Sequence, residues 1–545
     1  MNNRPGQAVR LLLMGALLCA LLLTGGCAAS EEGRTADLAD TTGETQELAG
    51  YPTLETLNGQ PLGVLTGSVF DQITADKFPA SQRFYYTSAA DQLMALIQGR
   101  IDGFLSEEPL AQTMMREEPR VNYLPEMIDH ADYGFAISPT ATGTRYRDEI
   151  NVFLAGLEAD GTLDMMRELW FSEDESVKLM DDSATLTAVN GTLIFATTAM
   201  MPPFTYIRDG QVVGYEVALL TRFCKEKGYG LRINVMNFES ILPGLASGKY
   251  DMAADCITIT EERAQSIHFS IPTYNSNVVM MVRAEDAGEL AAGGGFIEDF
   301  KDSFYKNFVE ENRWRLIASG IGVTLVISLF SALFGSVVGF GVCFMRRSRR
   351  RLLSDTAKVY IRIMQGTPIV VLLMLLFHVV FSKTALDGVT IAIIGFGLNY
   401  AAYAAEILRS GIDAVDRGQF EAAAAIGFNP RQTFIKIVFP QAARHFLPVL
   451  KGEFISLVKM TSVVGYVAVQ DLTKASDIIR SRTFEGFFPL IVTAVIYFLL
   501  TWILAGLISR LEIRTDPKRR PLKLPYLDAL MPPSGAPAEK GDVTA

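Results

Sequence analysis

Glu421, Ala422 and Ala423, followed by Gly427 and Pro440, form a stretch whose residue types and spacing suit docking better than bond-breaking. They sit in a long, polar, Ala-rich helical segment (409–450) between hydrophobic runs, an odd feature if it only connects helices. An acid beside two alanines makes a compact helix surface that another protein can approach closely. Gly427 permits the turn out of it, and Pro440 marks the next boundary. The pattern by itself equally suits a solvated surface helix. Other chemistry is thinly represented. Only four His occur, none in a ligand-spaced cluster, so neither a metal site nor catalytic residues are expected. "GLASGK" (244–249) has one residue too few between its glycines for a phosphate loop, and Tyr250 stands where Ser or Thr is needed.

Two short joints, "GRIDGF" (99–104) and "GKYDMA" (248–253), each follow an apolar-patterned helix and lead into a short strand. From 57 to 283 such strands and amphipathic helices alternate, which is α/β architecture whose ligands sit at strand carboxyl ends. "SEDESVKLMDDSATLTAVN" (172–190) and "AEDAGELAAGGG" (284–295) read as linkers. Beyond them Phe296, Phe300, Phe304 and Phe308 recur on one helical face near Lys301, Lys306, Arg313 and Trp314, the pattern of a helix along a membrane interface. Five spans are expected, near 316–345, 364–381, 389–408, 447–467 and 487–509. Arg/Lys clusters at 346–351 and 516–520 assign the cytoplasmic side, so an odd number of spans puts the α/β part outside.

The N-terminus agrees with that topology. Arg4 and Arg10 precede an apolar run (11–23) too short to span a bilayer but suited to a secretory signal. It ends in "LTGGC", which resembles a bacterial lipobox and makes Cys27 a lipid anchor with a polar tether behind it. An ordinary cleaved signal is the plainer reading. At 545 residues, 49% of them hydrophobic, the chain has room for a membrane part beside a soluble part. The formal charge of -11 argues against a nucleic-acid surface.

The segment holding Glu421, Gly427, Ile437, Phe439 and Pro440 resembles the cytoplasmic coupling loop of ABC-importer permeases. "MQGTPIVV" (364–371), "LNYAAYAAEILRSGI" (398–412), "RGQFEAAAAIG" (417–427) and "LVKMTSVVGY" (457–466) narrow the resemblance to polar amino acid permeases. The soluble half resembles periplasmic amino-acid-binding proteins, type II clamshells of two α/β lobes. "GTLIFATTAMMPPFTYIRDGQVVGYEVALL" (191–220) and "DMAADCITITEERAQSIHFSIPTY" (251–274) look like the family's first lobe. "LNGQPLGVLTGS" (57–68), "GRIDGFLSEEP" (99–109) and "DYGFAISPTATG" (132–143) look like its second. The usual lobe order is inverted, as in a circular permutation.

The resemblance implies roles that the residues alone do not. Arg263 matches the carboxylate-binding Arg, Thr258 a neighbouring donor, Thr66 to Ser68 an anion nest, and Glu107 an acid for the α-ammonium group. Without it, Arg263 and Glu107 read as solvated charges. Phe204 and Phe238 are expected as apolar walls. Thr198 and Met201 replace the usual acid and aromatic, while Asp255 and Cys256 replace small residues. Asp255 would then select a polar or cationic ligand or cap a turn.

The expected organisation is a signal (1–26), tether (27–50), second lobe with its return (51–171), linker (172–190), first lobe (191–283), linker and interfacial helix (284–313), permease (314–512) and cytoplasmic tail (513–545). The implied function is a fused binding and permease subunit of an ATP-driven amino acid importer in the bacterial plasma membrane. The chain is no enzyme and holds no cofactor of its own. ATP and magnesium belong to a separate ABC ATPase dimer, and a second permease subunit, identical or homologous, completes the path. A ligand-gated, glutamate-receptor-like channel, suggested by "TSVVGY" (461–466), and a chemosensory receptor are the alternatives.

Overall fold

Gly99 and Gly248 both adopt left-handed backbone, φ 70° and 74°, immediately beyond the helices Ala89–Ile97 and Ile241–Ala246. That conformation favours glycine and releases a chain from a helix into a strand. The following acids then tie the joint to a neighbouring strand. Asp102 accepts from Arg283 Nη2 at 2.7 Å, and Asp251 accepts from the Ile194 backbone N–H at 2.8 Å. The repeated sequence joint is therefore a repeated structural joint, one per lobe.

The computed structural model describes residues 51–284, 296–384 and 386–515. Cys27, the signal, the tether and the tail beyond 515 lie outside the described residues. One six-stranded sheet contains β1 (Leu62–Leu65), β2 (Arg83–Tyr86), β3 (Gly103–Glu107), β4 (Val121–Tyr123) and β5 (Asp129–Tyr133), completed by a strand from much later in the chain. That strand is β14 (Tyr274–Arg283), which lies antiparallel to β3, β4 and β5. A five-stranded sheet has the order β11-β7-β12-β6-β13, from β6 (Ala136–Ile137), β7 (Thr192–Thr197), β11 (Gly230–Val235), β12 (Met252–Ala253) and β13 (His268–Phe269). Short strands β8 (Met200–Met201), β9 (Thr205–Arg208) and β10 (Gln211–Val213) form a meander.

The chain crosses between the two sheets at β5 to β6 and again at β13 to β14. Two lobes thus share two connecting segments, and the segment expected to be entirely first lobe (191–283) gives its last strand to the other sheet. Alternating apolar residues explain why: Val278, Met280 and Val282 are buried, as are Val279 and Met281 on the opposite face. A strand apolar on both faces needs cover on both sides.

An aromatic cluster packs near the crossings. Phe171 stacks on Tyr274 at 4.5 Å between ring centroids, and Phe204 meets Phe171, Tyr274 and Tyr133 edge-on at 5.1, 5.2 and 5.9 Å. Each such pair stabilises by about 0.5–1.5 kcal/mol beyond its buried area.

Contacts divide the chain into two bodies. The first comprises the lobes and the other described residues up to Ser331, with Thr367–Phe396 and Met460–Val495. The second comprises Ala332–Gly366, Gly397–Lys459 and the described residues from Ile496 onward. Three helices are long and apolar enough to cross a membrane: Trp314–Arg346, Gly388–Asp413 and Phe488–Arg510. Two broken pairs, Arg351–Gly366 with Ile369–Val380 and Pro430–Val467 with Leu472–Thr483, raise the number to as many as five among the described residues. The first pair breaks before Pro368, which lacks a helix N–H, and the second where Ala468 turns left-handed at φ 57°. After the second linker Phe300 and Phe308 pack on Phe488 at 5.2 and 5.9 Å.

Candidate functional site

β3 carries Glu107 to the sheet's carboxyl end, directly before the helix Glu108–Glu117. Glu107 makes no side-chain cap there, so its carboxyl is free to line the cleft. It is 5% exposed, and burial pushes it up to about 7, helped by the nearby Asp255 charge and opposed by its own backbone N–H. Across the cleft, Thr260 caps the short helix Glu261–Ala264 and accepts from the Arg263 backbone N–H at 3.2 Å, which fixes the arginine's base. The guanidinium donates to Thr258 O at 3.0 Å within its own lobe and to Gly67 O at 3.1 Å in the other. That second bond spans the cleft, so the lobes are closed on each other. Burial holds the Arg263 guanidinium below its usual range.

Asp255 follows β12 and is 3% exposed, with its hydrogen bonds gathered mainly on Oδ1. Thr197 and Thr205 donate to Oδ1 at 3.0 and 2.8 Å, and the Thr198 hydroxyl lies 2.8 Å from both oxygens and shares its one proton between them. The Thr198 backbone N–H adds a fourth donor at 3.2 Å. Desolvation raises its pKa and these bonds oppose the rise. Of the two sequence readings, a turn-capping carboxylate accounts for this shell.

Arg263, Thr258, Glu107, Ser68, Thr198, Met201, Phe238 and Asp255 all line one cavity of about 220 Å³. This is below the roughly 300–1,000 Å³ of drug-sized pockets and suits one small metabolite. Two expected residues are elsewhere. Phe204 is fully buried in the aromatic cluster, because it has apolar neighbours on all sides. Thr66 directs its hydroxyl to Tyr86 O at 3.0 Å and holds β1 to β2 instead of facing the cleft. Ser68 does line the cavity, with its hydroxyl donating to Leu65 O at 2.7 Å.

Glu216 escaped the sequence reading. It is 1% exposed near Glu107 and Asp255, and one oxygen accepts from the Cys256 backbone N–H at 3.4 Å. Desolvation, with those two acids adding to it, raises it well above the carboxylate range. The remaining wall was also missed: Ser462, Tyr466, Lys474 and Asp477, from the first body's membrane-associated segments, line the same cavity. Nothing in the lobe pattern announces which later helix lies across the cleft. No group of three or more metal-binding side chains occurs among the described residues.

In the second body, the helix Arg417–Ala425 exposes Glu421 and Ala422 and buries Ala423. Gly427 turns left-handed at φ 86°, and Asn429 and Gln432 form a capping box on the next helix. Pro440 lies in the first turn of Phe439–Met460, after a π-turn at Phe434–Val438. Ile426 and Ile435 are 70% and 65% exposed, so this segment offers apolar as well as polar surface. Of the polar groups in the apolar helices, Asn399 donates to Met364 O at 2.8 Å and Glu406 pairs with Arg409 at 2.8 Å.

Residues 331–516 match the family described as binding-protein-dependent transport system inner membrane component. The probable amino-acid ABC transporter permease protein YckA of Bacillus subtilis is 40% identical over 197 residues, 36% of this chain and 87% of the relative. The chain belongs to the amino-acid ABC transporter permease family. A putative glutamine transport system permease protein GlnP of Rickettsia bellii is 33% identical over 202 residues, 36% of this chain and 91% of that protein. The crystal structure of an amino acid ABC transporter with histidines is 31% identical, covering 41% of this chain and 99% of that one, with a TM-score of 0.36. The relatives are named as transport components, not enzymes. This permease carries, ahead of its family domain, a two-lobed α/β part.

Proposed function

We propose that this permease is the fused capture and translocation subunit of an ATP-driven amino acid importer. The single observation that carries the reading is the closed cleft gathering Arg263, Thr258 and Glu107 around one small cavity on a chain of this family. Arg263 presents a planar fork to the ligand's α-carboxylate. Thr258 adds a hydroxyl donor, Ser68 lines the cavity beside it, and Glu107, once deprotonated, accepts from the α-ammonium group. Asp255 and its threonines form the floor, with Thr198, Met201 and Phe238 beside it. The lobes face outside, held at the membrane by acylated Cys27. ATP-driven closure of a cytoplasmic ABC ATPase dimer acts on Glu421, Ala422, Ala423 and Gly427, with Pro440 bounding the contact. ATP and magnesium stay on that partner, and two permease subunits, identical or homologous, frame the path. The channel alternative is weakened by Thr461–Val467, which coils as a short 3₁₀ helix and not as an extended filter.

Titrating the full-length chain in nanodiscs with the twenty amino acids tests this reading. Binding of a restricted set, lost on Arg263→Ala, is expected. Absence of binding by all twenty contradicts it.

A further inference from the structure

The lobes do not enclose the cavity alone. The helix Leu472–Thr483 packs along it, and Lys474, 4% exposed, reaches across with its ammonium donating to Asn237 Oδ1 at 3.0 Å and Met200 Sδ at 3.3 Å. Asn237 is itself held against the membrane-associated segment, since its backbone N–H donates to Gly465 O at 3.2 Å. A Cβ on Gly465 would come within 3.0 Å of Asn237 Oδ1, so only glycine allows this approach without displacement. Asp477, one turn along the same helix, also lines the cavity and pairs with Arg480 at 3.3 Å.

An ammonium has three N–H donors. Here one goes to an amide oxygen and one to a thioether, a weak acceptor. A buried cation held this way gains from any further oxygen brought to it, because desolvation has already been incurred. The charge nearby argues against a fully anionic newcomer: Asp477 lines the cavity beside Lys474, and Asp255 lines it as well. A carboxamide satisfies both sides. Its oxygen accepts from Lys474, and its N–H₂ donates to Asp477, which sits three residues on and hence on the same helical face.

We propose that Lys474, together with Asp477, is a specificity-determining part of the ligand site, selecting amino acids whose side chains end in a carboxamide. The proposal rests on the capture reading above. It makes the permease's own helix a wall of the binding site, so ligand identity is read by the lobes and the permease together.

The test is calorimetric titration of the full-length chain in nanodiscs with L-glutamine, L-asparagine, L-glutamate, L-arginine and L-alanine, before and after Lys474→Met. The expected result is a carboxamide preference in the unaltered chain, and a loss of about tenfold or more for the carboxamides with alanine unchanged. An equal loss for every ligand, no loss for any, or an initial preference for arginine overturns the proposal. Should Lys474→Met not fold, Asn237→Asp gives the ammonium an ionic partner and is expected to produce the same selective loss, with unchanged selectivity overturning it. Failure of the unaltered chain to bind any amino acid would instead remove the capture reading itself.

Discussion

The first body buries its candidate functional groups, whereas the second displays them. Glu107, Asp255, Glu216 and Lys474 are each at most 5% exposed, while Glu421, Ala422 and Gly427 lie in the open. Buried polar groups must be satisfied or shift their protonation, so hydrogen bonding and burial decide the state of each group around the first body's cavity. An exposed acid next to alanines costs nothing to solvate and derives its meaning from whatever protein lies against it. The difference teaches where each kind of substitution should register: on ligand binding for the first body, on coupling for the second.

The largest expected effect is on the exposed side. Glu421→Ala combined with Gly427→Pro should abolish ligand-stimulated ATP hydrolysis in the reconstituted complex, while titration shows ligand affinity unchanged. A change in affinity would break the division between bodies. Next, Arg263→Ala should weaken ligand binding by a hundredfold or so, since removing one partner of a buried charge pair costs about 2–5 kcal/mol. ATP hydrolysis without ligand should stay at its basal level.

The pH dependence sharpens the first body's half. Glu107 is raised to about 7, so the folded protein binds its proton more tightly than the unfolded chain does. Its contribution to stability is therefore full below the ordinary carboxylate range and is lost as pH rises toward about 7. Glu216 and Asp255, both raised, act in the same direction. Ligand binding has the opposite sign, because the ammonium group favours ionised Glu107. Affinity should rise with pH up to about 7, by at most about tenfold per unit, and Glu107→Gln should flatten the profile. The smallest effect is Thr198→Val, which removes the one hydroxyl donor shared between the two oxygens of Asp255 and should lower stability by about 1–3 kcal/mol in denaturant titration.

The paired Gly–basic–Asp joints, the α/β alternation and the apolar runs were legible because each has a local physical signature: a helix exit, a period, a length. Arg263 and Glu107 were not legible from pattern, since a charge in "EER" or "SEEP" looks solvated; only the family resemblance singled them out. Phe204 and Phe238 are alike in sequence, and only tertiary packing sends one to the core and the other to the cavity. β14 follows the first-lobe strands along the chain but pairs with the second-lobe sheet, because pairing partners far apart in sequence leave no local trace. Lys474 was least visible of all. It lies 237 positions from Asn237, in a stretch that reads as an ordinary polar helix.

The central claim is that one chain both captures the amino acid and passes it across the membrane. Uptake of labelled amino acid into proteoliposomes containing only this chain and its ATPase tests it most directly, with no separate binding protein added. The account predicts ATP-dependent accumulation that disappears with Arg263→Ala. Uptake that requires an added binding protein, or ion current without nucleotide, would contradict it.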